Sequence, residues 1–424
     1  MIQRPDRRPT SNDKSSAKLP RIHLLGTGNI GKLIAHSIRS LEEPPPVTLL
    51  LHRLKAIKEW QRSRHEIRVV TGENSDVKTG FDWEPAIPKR RLHGVELDYQ
   101  SEFEAKARKS AVKDGKDTPL DEDDQSVLRR QEEERGPIQH LIVTVKAPNT
   151  ISALSTVRHR LTPDSTILFL QNGMGIVEKV NKEIFPDPNS RPNYMLGIIS
   201  HGVRSRPGYM WDCVHTGFGT VSLGILPRKE SGPFDQSSID LPQTSEYILK
   251  VLTRIPVLAA VALSPTELFK AQLEKLAINA VINPMTSLLD ARNGAILYNF
   301  YLTRVMRLLL AEISLVLRSL PELEGIPNIE NRFSPERLET LVIGVAGKTS
   351  QNISSMLSDT RRGETTEIEY INGYIVKRGE EMGIKCVMNY LVMELVRGKS
   401  MLVDQEFRGF IPLILKETNN GSKL

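Results

Sequence analysis

The stretch "RIHLLGTGNIGKLIAHSIRSL", residues 21 to 41, decides the fold of this chain. Residues 21–27 read as a short buried strand. From Asn29 onward Ile30, Leu33, Ile34 and Ile38 recur at helical spacing, so a helix follows directly. Between the two, Gly26, Gly28 and Gly31 stand in the pattern GxGxxG. Each glycine has its own duty in such a turn. Gly26 permits the tight bend, Gly28 lets the backbone approach a diphosphate, and Gly31 allows the helix to pack closely. Free N–H groups and the dipole at the helix start favour an anion.

Working outward, "VTLLLHR" at 47–53 supplies a second apolar strand after a proline triplet, and strand, helix and strand together make a βαβ unit. The end of that second strand selects the dinucleotide. An NAD site carries Asp or Glu there for the ribose 2′-hydroxyl, whereas this chain has His52, Arg53 and Lys55. A carboxylate would repel a 2′-phosphate and Arg53 can clamp it, so the expected cofactor is NADP(H).

Further strand-like runs, "HLIVTVK", "STILFLQNGMG", "YMLGIISHGV" and "TVSLGIL", alternate with helical segments. This pattern predicts a doubly wound parallel sheet. From Pro265 onward the periodicity is helical. The expected fold class is therefore α/β: an N-terminal Rossmann-type domain over 21–263, then an all-α C-terminal domain over 264–418. Residues 1–20, polar and bearing Pro and Ser, are expected to be disordered. Residues 60–137 pass through a weak strand, "EIRVV", into a densely charged stretch expected to form a solvated insertion. Residues 419–424 are expected to be a flexible tail.

Composition agrees with two soluble domains: 424 residues, 39% hydrophobic and 25% charged. The net charge of +6 suits anionic ligands, and no RNA-binding signature accompanies it, so no nucleic-acid partner is expected. No apolar run approaches the ~18 residues of a membrane span. With only Cys213 and Cys386 there is no disulfide framework, which favours a reducing compartment. The nine histidines are scattered, and "RHEIR" at 64–68 has Val69 where a zinc site needs its second histidine, so no metal is assigned. "GVAGKTS" at 344–350 lacks a P-loop's first glycine, since position 342 is Val342. The chain closes on Ser422, Lys423 and Leu424, the tripeptide that a peroxisomal import receptor reads. The expected location is peroxisomal or cytoplasmic, and Asp6 and Asp13 count against a mitochondrial transit peptide.

The segment "KLAINAVINPMTSLL", residues 275 to 289, carries the chemistry. Lys275, Asn279 and Asn283 stand four residues apart, on one face of a helix. One cation and two amides are orienting groups, unlike the Glu and Lys of an ordinary solvated stripe. Pro284 removes a helix hydrogen bond and is expected to kink the helix just beyond the ladder. A bent helix with inward polar groups suggests a cleft.

Taken with "LGTGNIGK", "TVKAPN", "LQNGMG", "ARNG" and "NISSMLSDTRRGETTEIEYINGYIVKRG", this segment makes the chain resemble the ketopantoate reductases, or 2-dehydropantoate 2-reductases, over most of residues 21 to 400. The resemblance implies NADPH-dependent reduction of 2-dehydropantoate to (R)-pantoate, on the way to pantothenate and coenzyme A. It also implies site residues. Gly26, Thr27, Gly28, Asn29, Ile30, Gly31, Arg53, Lys146, Asn172 and Val203 would meet the cofactor. Lys275 would be the proton donor, and Glu367 would act beside the nicotinamide and substrate. Asn279, Asn283, Asn293, Asn352, Ser354 and Ser355 would bind the substrate. A related reductase of another 2-keto acid, or a non-catalytic reductase fold serving as an RNA-binding or organellar factor, stays open at this point, as does a homodimer.

Overall fold

The computed structural model describes residues 19–88, 90–92, 95–97, 127, 130–131, 135–228 and 241–407. The N-terminal segment 1–18 and the C-terminal Ser422-Lys423-Leu424 lie outside the described residues. The strands are β1 (Ile22–Leu25), β2 (Val47–Leu51), β3 (Ile67–Thr71), β4 (Asn74–Lys78), β5 (Phe81–Pro85), β6 (Arg90–Leu92), β7 (Val95–Leu97), β8 (His140–Val143), β9 (Thr166–Phe169), β10 (Asn193–Ile199), β11 (Gly202–Arg206), β12 (Tyr209–Gly217), β13 (Val221–Leu226) and β14 (Ala260–Ala262). The helices among them are α1 (Asn29–Ile38), α2 (Leu54–Arg62), α3 (Thr150–Ser155), α4 (Ile176–Glu183) and α5 (Gln243–Thr253).

Eight strands form the main sheet in the order β5-β2-β1-β8-β9-β10-β13-β14. Pairing is parallel from β5 through to β10; β13 runs antiparallel to β10, and β14 is parallel to β13. Strands β1, β2, β8 and β9 are buried along their whole length, as strands covered on both faces must be. Alternate residues serve opposite layers. Leu24, Leu49 and Ile142 pack with Leu33 and Ile34 of α1 and with Ile248 and Leu252 of α5. Leu25, Leu50 and Val143 pack with Leu154 of α3 and Val180 of α4. The chain moves outward from β1 to β2 and β5, then returns to β8 on the other side of β1. That reversal is the switch point where such sheets bind ligands at their strand ends.

Two expectations are revised here. Residues 60 to 88 belong to the sheets and not to an insertion, and most of the charged stretch lies outside the described residues. Trp60 is fully buried, β5 completes the main sheet, and β3 with β4 joins β11 and β12 in a second four-stranded sheet. This sheet covers α1, where the buried Lys32 donates to the carbonyls of Met210 and Asp212 at 2.9 and 2.7 Å, and Trp60 meets Trp211 edge-on. Past 88 the chain returns to the same place: the Gln131 side chain pairs with both the N–H and the C=O of Ile87. Likewise "YMLGIISHGV" is not one strand. At Ser200 and His201 it leaves the main sheet for the second one, where a Cβ on Gly219 would come within 2.5 Å of the Ser200 backbone.

The remaining elements are helical: α6 (Pro265–Leu289), α7 (Phe300–Arg318), α8 (Ile329–Arg332), α9 (Pro335–Lys348), α10 (Ser355–Arg361), α11 (Ile368–Glu381) and α12 (Val387–Phe407). Ser264 caps α6 by accepting from the Glu267 N–H, and Pro265 occupies the first position, where a missing N–H costs nothing. The helix runs on through Pro284 as far as Leu289. It is the axis of the domain: Leu276, Ala277, Ala280 and Val281 pack among Leu309, Ile313, Val342, Ile371 and Ile375.

Candidate active site

The first glycine turn is built as its sequence requires. Gly26 has φ of 108°, and a Cβ there would lie 2.6 Å from the Val145 nitrogen, so both conformation and space exclude a side chain. A Cβ on Gly31 would sit 2.0 Å from the Gly26 oxygen and 2.7 Å from Thr144 Oγ1. Thr144 in turn donates to the Gly26 carbonyl at 2.6 Å, tying the turn to the end of β8. Gly28 is different: a Cβ there meets no protein atom within 4 Å. The protein's own packing makes no demand for glycine at 28, and the open space above it suits the close approach of a diphosphate. No side chain caps α1 at this end, which leaves its first N–H groups for a ligand.

Around this turn Thr27, Asn29 and Ile30 are half-buried, and Asn29 Oδ1 accepts from Ser205 on β11 at 2.9 Å. Val203, on the same strand, packs against the sheet core. Arg53 follows β2, exposed, and among the described residues its guanidinium has no partner. Its charge and burial together hold the neighbouring His52 down at about 4, with burial the larger cause.

Across the strand ends lies a connected chain of polar groups. Lys275 Nζ donates to Asn172 Oδ1 at 2.9 Å and to the Ile199 carbonyl, at the end of β10, at 2.8 Å. Asn172 Nδ2 donates to Glu367 Oε2 at 3.1 Å, while the other carboxyl oxygen of Glu367 accepts from the Ala147 N–H at 3.1 Å. Burial lowers the Lys275 pKa to about 8, and the Glu367 charge opposes that shift. Burial pushes Glu367 up, and the Ala147 N–H, Asn172, Lys146 and Lys275 pull it back. Two contacts brace the loop that carries Asn172. Gly173, at φ of 84°, lies hard against the Tyr370 backbone, and the Met174 N–H donates to the Tyr370 carbonyl at 2.8 Å.

Lys146 reaches across to the helical domain, 2.9 Å from Asp359 Oδ1 and 2.6 Å from Glu364 Oε2. Burial raises Asp359 to about 6 against the pull of Lys146. Burial also acts upward on Glu364, but Arg362 and Lys146 outweigh it and hold that carboxyl at about 2.

The proposed substrate residues divide into two groups. Asn279 is half-buried and Asn283 is buried, and among the described residues neither side-chain amide has a hydrogen-bond partner. Neither amide is sealed from solvent, which leaves both free to serve a ligand. Asn352 and Ser355 are exposed near the start of α10. Ser354 and Asn293 also hold neighbouring elements together, and Asn293 Oδ1 is buried without a partner among the described residues. Ser354 Oγ accepts from the Leu357 N–H at 3.1 Å and from Thr286 Oγ1 at 2.8 Å, capping α10 and tying it to α6. Asn293 Nδ2 donates to Thr349 Oγ1 at 2.9 Å, and its N–H donates to the Asn352 carbonyl. Sequence reasoning missed the Ile199 carbonyl, Asp359 and Glu364. The first carries no side-chain signal, and the acids are separated from Lys146 by some two hundred residues of chain.

Comparison with known proteins places this geometry in a family. The profile described as "Ketopantoate reductase PanE/ApbA" matches residues 22–228, and its "C terminal" counterpart matches residues 267–400. A "Probable 2-dehydropantoate 2-reductase" of Schizosaccharomyces pombe is 28% identical over 380 residues, covering 89% of this chain and 96% of the relative. The 2-dehydropantoate 2-reductase of Salmonella typhimurium is 30% identical over 260 residues, covering 61% of this chain and 73% of the relative. Among solved structures, D-mandelate dehydrogenase with NADH and anilino(oxo)acetate superimposes with a TM-score of 0.63 at 15% identity, over 91% of this chain and 99% of that one. At that identity the likeness is one of fold.

Proposed function

The chain belongs to the ketopantoate reductase family, and from that premise we propose that it reduces 2-dehydropantoate to pantoate with NADPH. It is an oxidoreductase that works with a nicotinamide cofactor. The choice of NADPH over NADH rests on Arg53, an exposed cation just after β2, where residues 52–55 include no Asp or Glu.

The observation that carries the reading is the chain Lys275–Asn172–Glu367, with the unpaired amides of Asn279 and Asn283 one and two turns further along α6. A reduced nicotinamide held at the glycine turn would supply the hydride that the keto carbon receives. Negative charge then gathers on the keto oxygen as the C=O electron pair moves onto it. Two of the three Lys275 protons are engaged by Asn172 and Ile199, and the third is left to meet that oxygen and protonate it. A lysine at about 8 is charged at neutral pH yet gives its proton more readily than a solvated one. Glu367 keeps Asn172 turned with its oxygen toward Lys275, because both of its own oxygens accept from N–H donors. Asn279, Asn283 and Ser355 orient the carboxylate and hydroxyl of the substrate without adding a competing charge.

Measuring kcat/KM with NADPH for 2-dehydropantoate beside other 2-keto acids, 2-ketoisovalerate among them, tests this assignment. The largest value is expected for 2-dehydropantoate. A larger value for another keto acid would reassign the substrate, and RNA binding with no turnover at all would remove the enzyme reading.

A further inference from the structure

Proline lacks the N–H that an interior helix residue donates to the carbonyl four positions earlier. In α6 the carbonyl so deprived is that of Ala280, which lies between Asn279 and Asn283 on the helix. Ala280 is fully buried, so water does not replace the missing donor. Asn372 of α11 does: its Nδ2 lies 2.9 Å from the Ala280 oxygen. The second proton of the same NH2 goes to Asn389 Oδ1 on α12, at 3.1 Å. Both asparagines are wholly buried.

The direction of donation is determined from the far end. Glu312 on α7 accepts the backbone N–H groups of Met388 and Asn389 at 2.9 and 3.0 Å, and its Oε2 also takes Asn389 Nδ2 at 2.8 Å. A carboxylate only accepts, so Asn389 turns its NH2 to Glu312 and its oxygen to Asn372. Asn372 then has to present its own NH2, and the reversed amide would set oxygen against two acceptors. The Asn372 oxygen itself has no partner. An amide that leaves its own acceptor unpaired in order to donate twice is placed for its protons, since a leucine would fill the same space with no polar atom to satisfy.

We propose that Asn372 is a positioning residue for substrate: it replaces the hydrogen bond that Pro284 removes and thereby holds the turn of α6 bearing Asn279 and Asn283 at its angle to Lys275. The inference rests on the substrate assignment above. Its anchor reaches through Asn389 and Glu312, so three helices of the domain hold one turn of the fourth.

A double-mutant cycle over Asn372→Leu and Pro284→Ala isolates the interaction, because Pro284→Ala restores a backbone N–H and so gives the Ala280 carbonyl its ordinary helical donor. In the parent background Asn372→Leu is expected to raise KM for 2-dehydropantoate about tenfold while kcat changes less than about threefold, as a loss of ground-state orientation does. In the Pro284→Ala background the same substitution is expected to change KM by no more than about twofold, since the carbonyl is already served. An unchanged KM in the parent, or an equal rise in both backgrounds, overturns the inference and leaves Asn372 a packing residue. If the leucine variant does not fold, Asn372→Ala is read in the same cycle with the same outcomes. Thermal unfolding of the four proteins separates this test from the substrate assignment. Non-additive Tm values at positions 284 and 372 are expected whatever keto acid is turned over, and additive values overturn the coupling.

Discussion

Replacing Glu367 with glutamine changes one atom and two properties of the site. Each carboxyl oxygen now accepts one N–H, from Ala147 and from Asn172. A glutamine serves one of them and sets its NH2 against the other, leaving a buried donor unserved at about 1–3 kcal/mol. The electrical effect is more specific. Two hydrogen bonds through a single amide put Glu367 and Lys275 on the order of 7 Å apart, where an effective dielectric of about 20 gives about 2 kcal/mol, or between about 1 and 2 pH units. Burial holds Lys275 at about 8 with Glu367 acting upward, so loss of the carboxylate carries the ammonium further down. With Lys275 as the proposed proton donor, reduction requires the protonated lysine, and kcat/KM is expected to fall as pH rises through the lysine pKa. The parent enzyme is expected to lose activity on an alkaline limb centred near 8. In Glu367→Gln that limb is expected to move down by about 1 to 2 pH units, so the two rates diverge most above neutrality and approach each other in acid. NADPH oxidation followed from mildly acid to alkaline pH reads both curves. A limb that stays in place while overall activity drops would mean that Glu367 acts only through hydrogen bonds, and the electrical reasoning would be wrong.

Two further outcomes separate folding from binding. Gly31→Ala drives a Cβ into the Gly26 oxygen, and overpacking of this kind costs about 1–3 kcal/mol, visible as a lowered Tm. Gly28→Ala meets no protein atom within 4 Å, so Tm is expected to hold while KM for NADPH rises about tenfold; a lowered Tm would show that the space above Gly28 is not the cofactor's. Arg53→Ala is expected to weaken NADPH by about 1.5–3 kcal/mol, the worth of a charge-assisted hydrogen bond, and to leave NADH nearly untouched. Equal losses for both cofactors would remove Arg53 from the 2′-phosphate.

The glycine turn and the Lys-Asn-Asn ladder were legible because each depends on spacing within one element. Gly26, Gly28 and Gly31 sit within a single turn, and Lys275, Asn279 and Asn283 on one helix. Strands β4 and β5 were hidden for a physical reason: "NSDVK" is largely exposed, and "FDWEP" carries two acids, so neither shows the apolar run of a central strand. Ser354 could not be told from Ser355 by sequence, since one caps a helix from a buried position and the other is exposed next to it. The ion pairs of Lys146 with Asp359 and Glu364, and the service Asn372 gives to Ala280, join residues whose partners only the tertiary fold selects. Pro284 announced a missing hydrogen bond, but nothing in the sequence named the donor that replaces it.

The proposed function turns on one step, protonation of the keto oxygen of 2-dehydropantoate by Lys275. Its most direct measurement is the steady-state oxidation of NADPH by 2-dehydropantoate in the parent protein and in Lys275→Ala, with cofactor binding checked separately by fluorescence. Ready turnover is expected in the parent, with a loss of kcat by a factor of about 10²–10⁴ in the variant, as for a removed general acid, and NADPH binding of similar strength in both. A variant that keeps most of its kcat would contradict this role for Lys275.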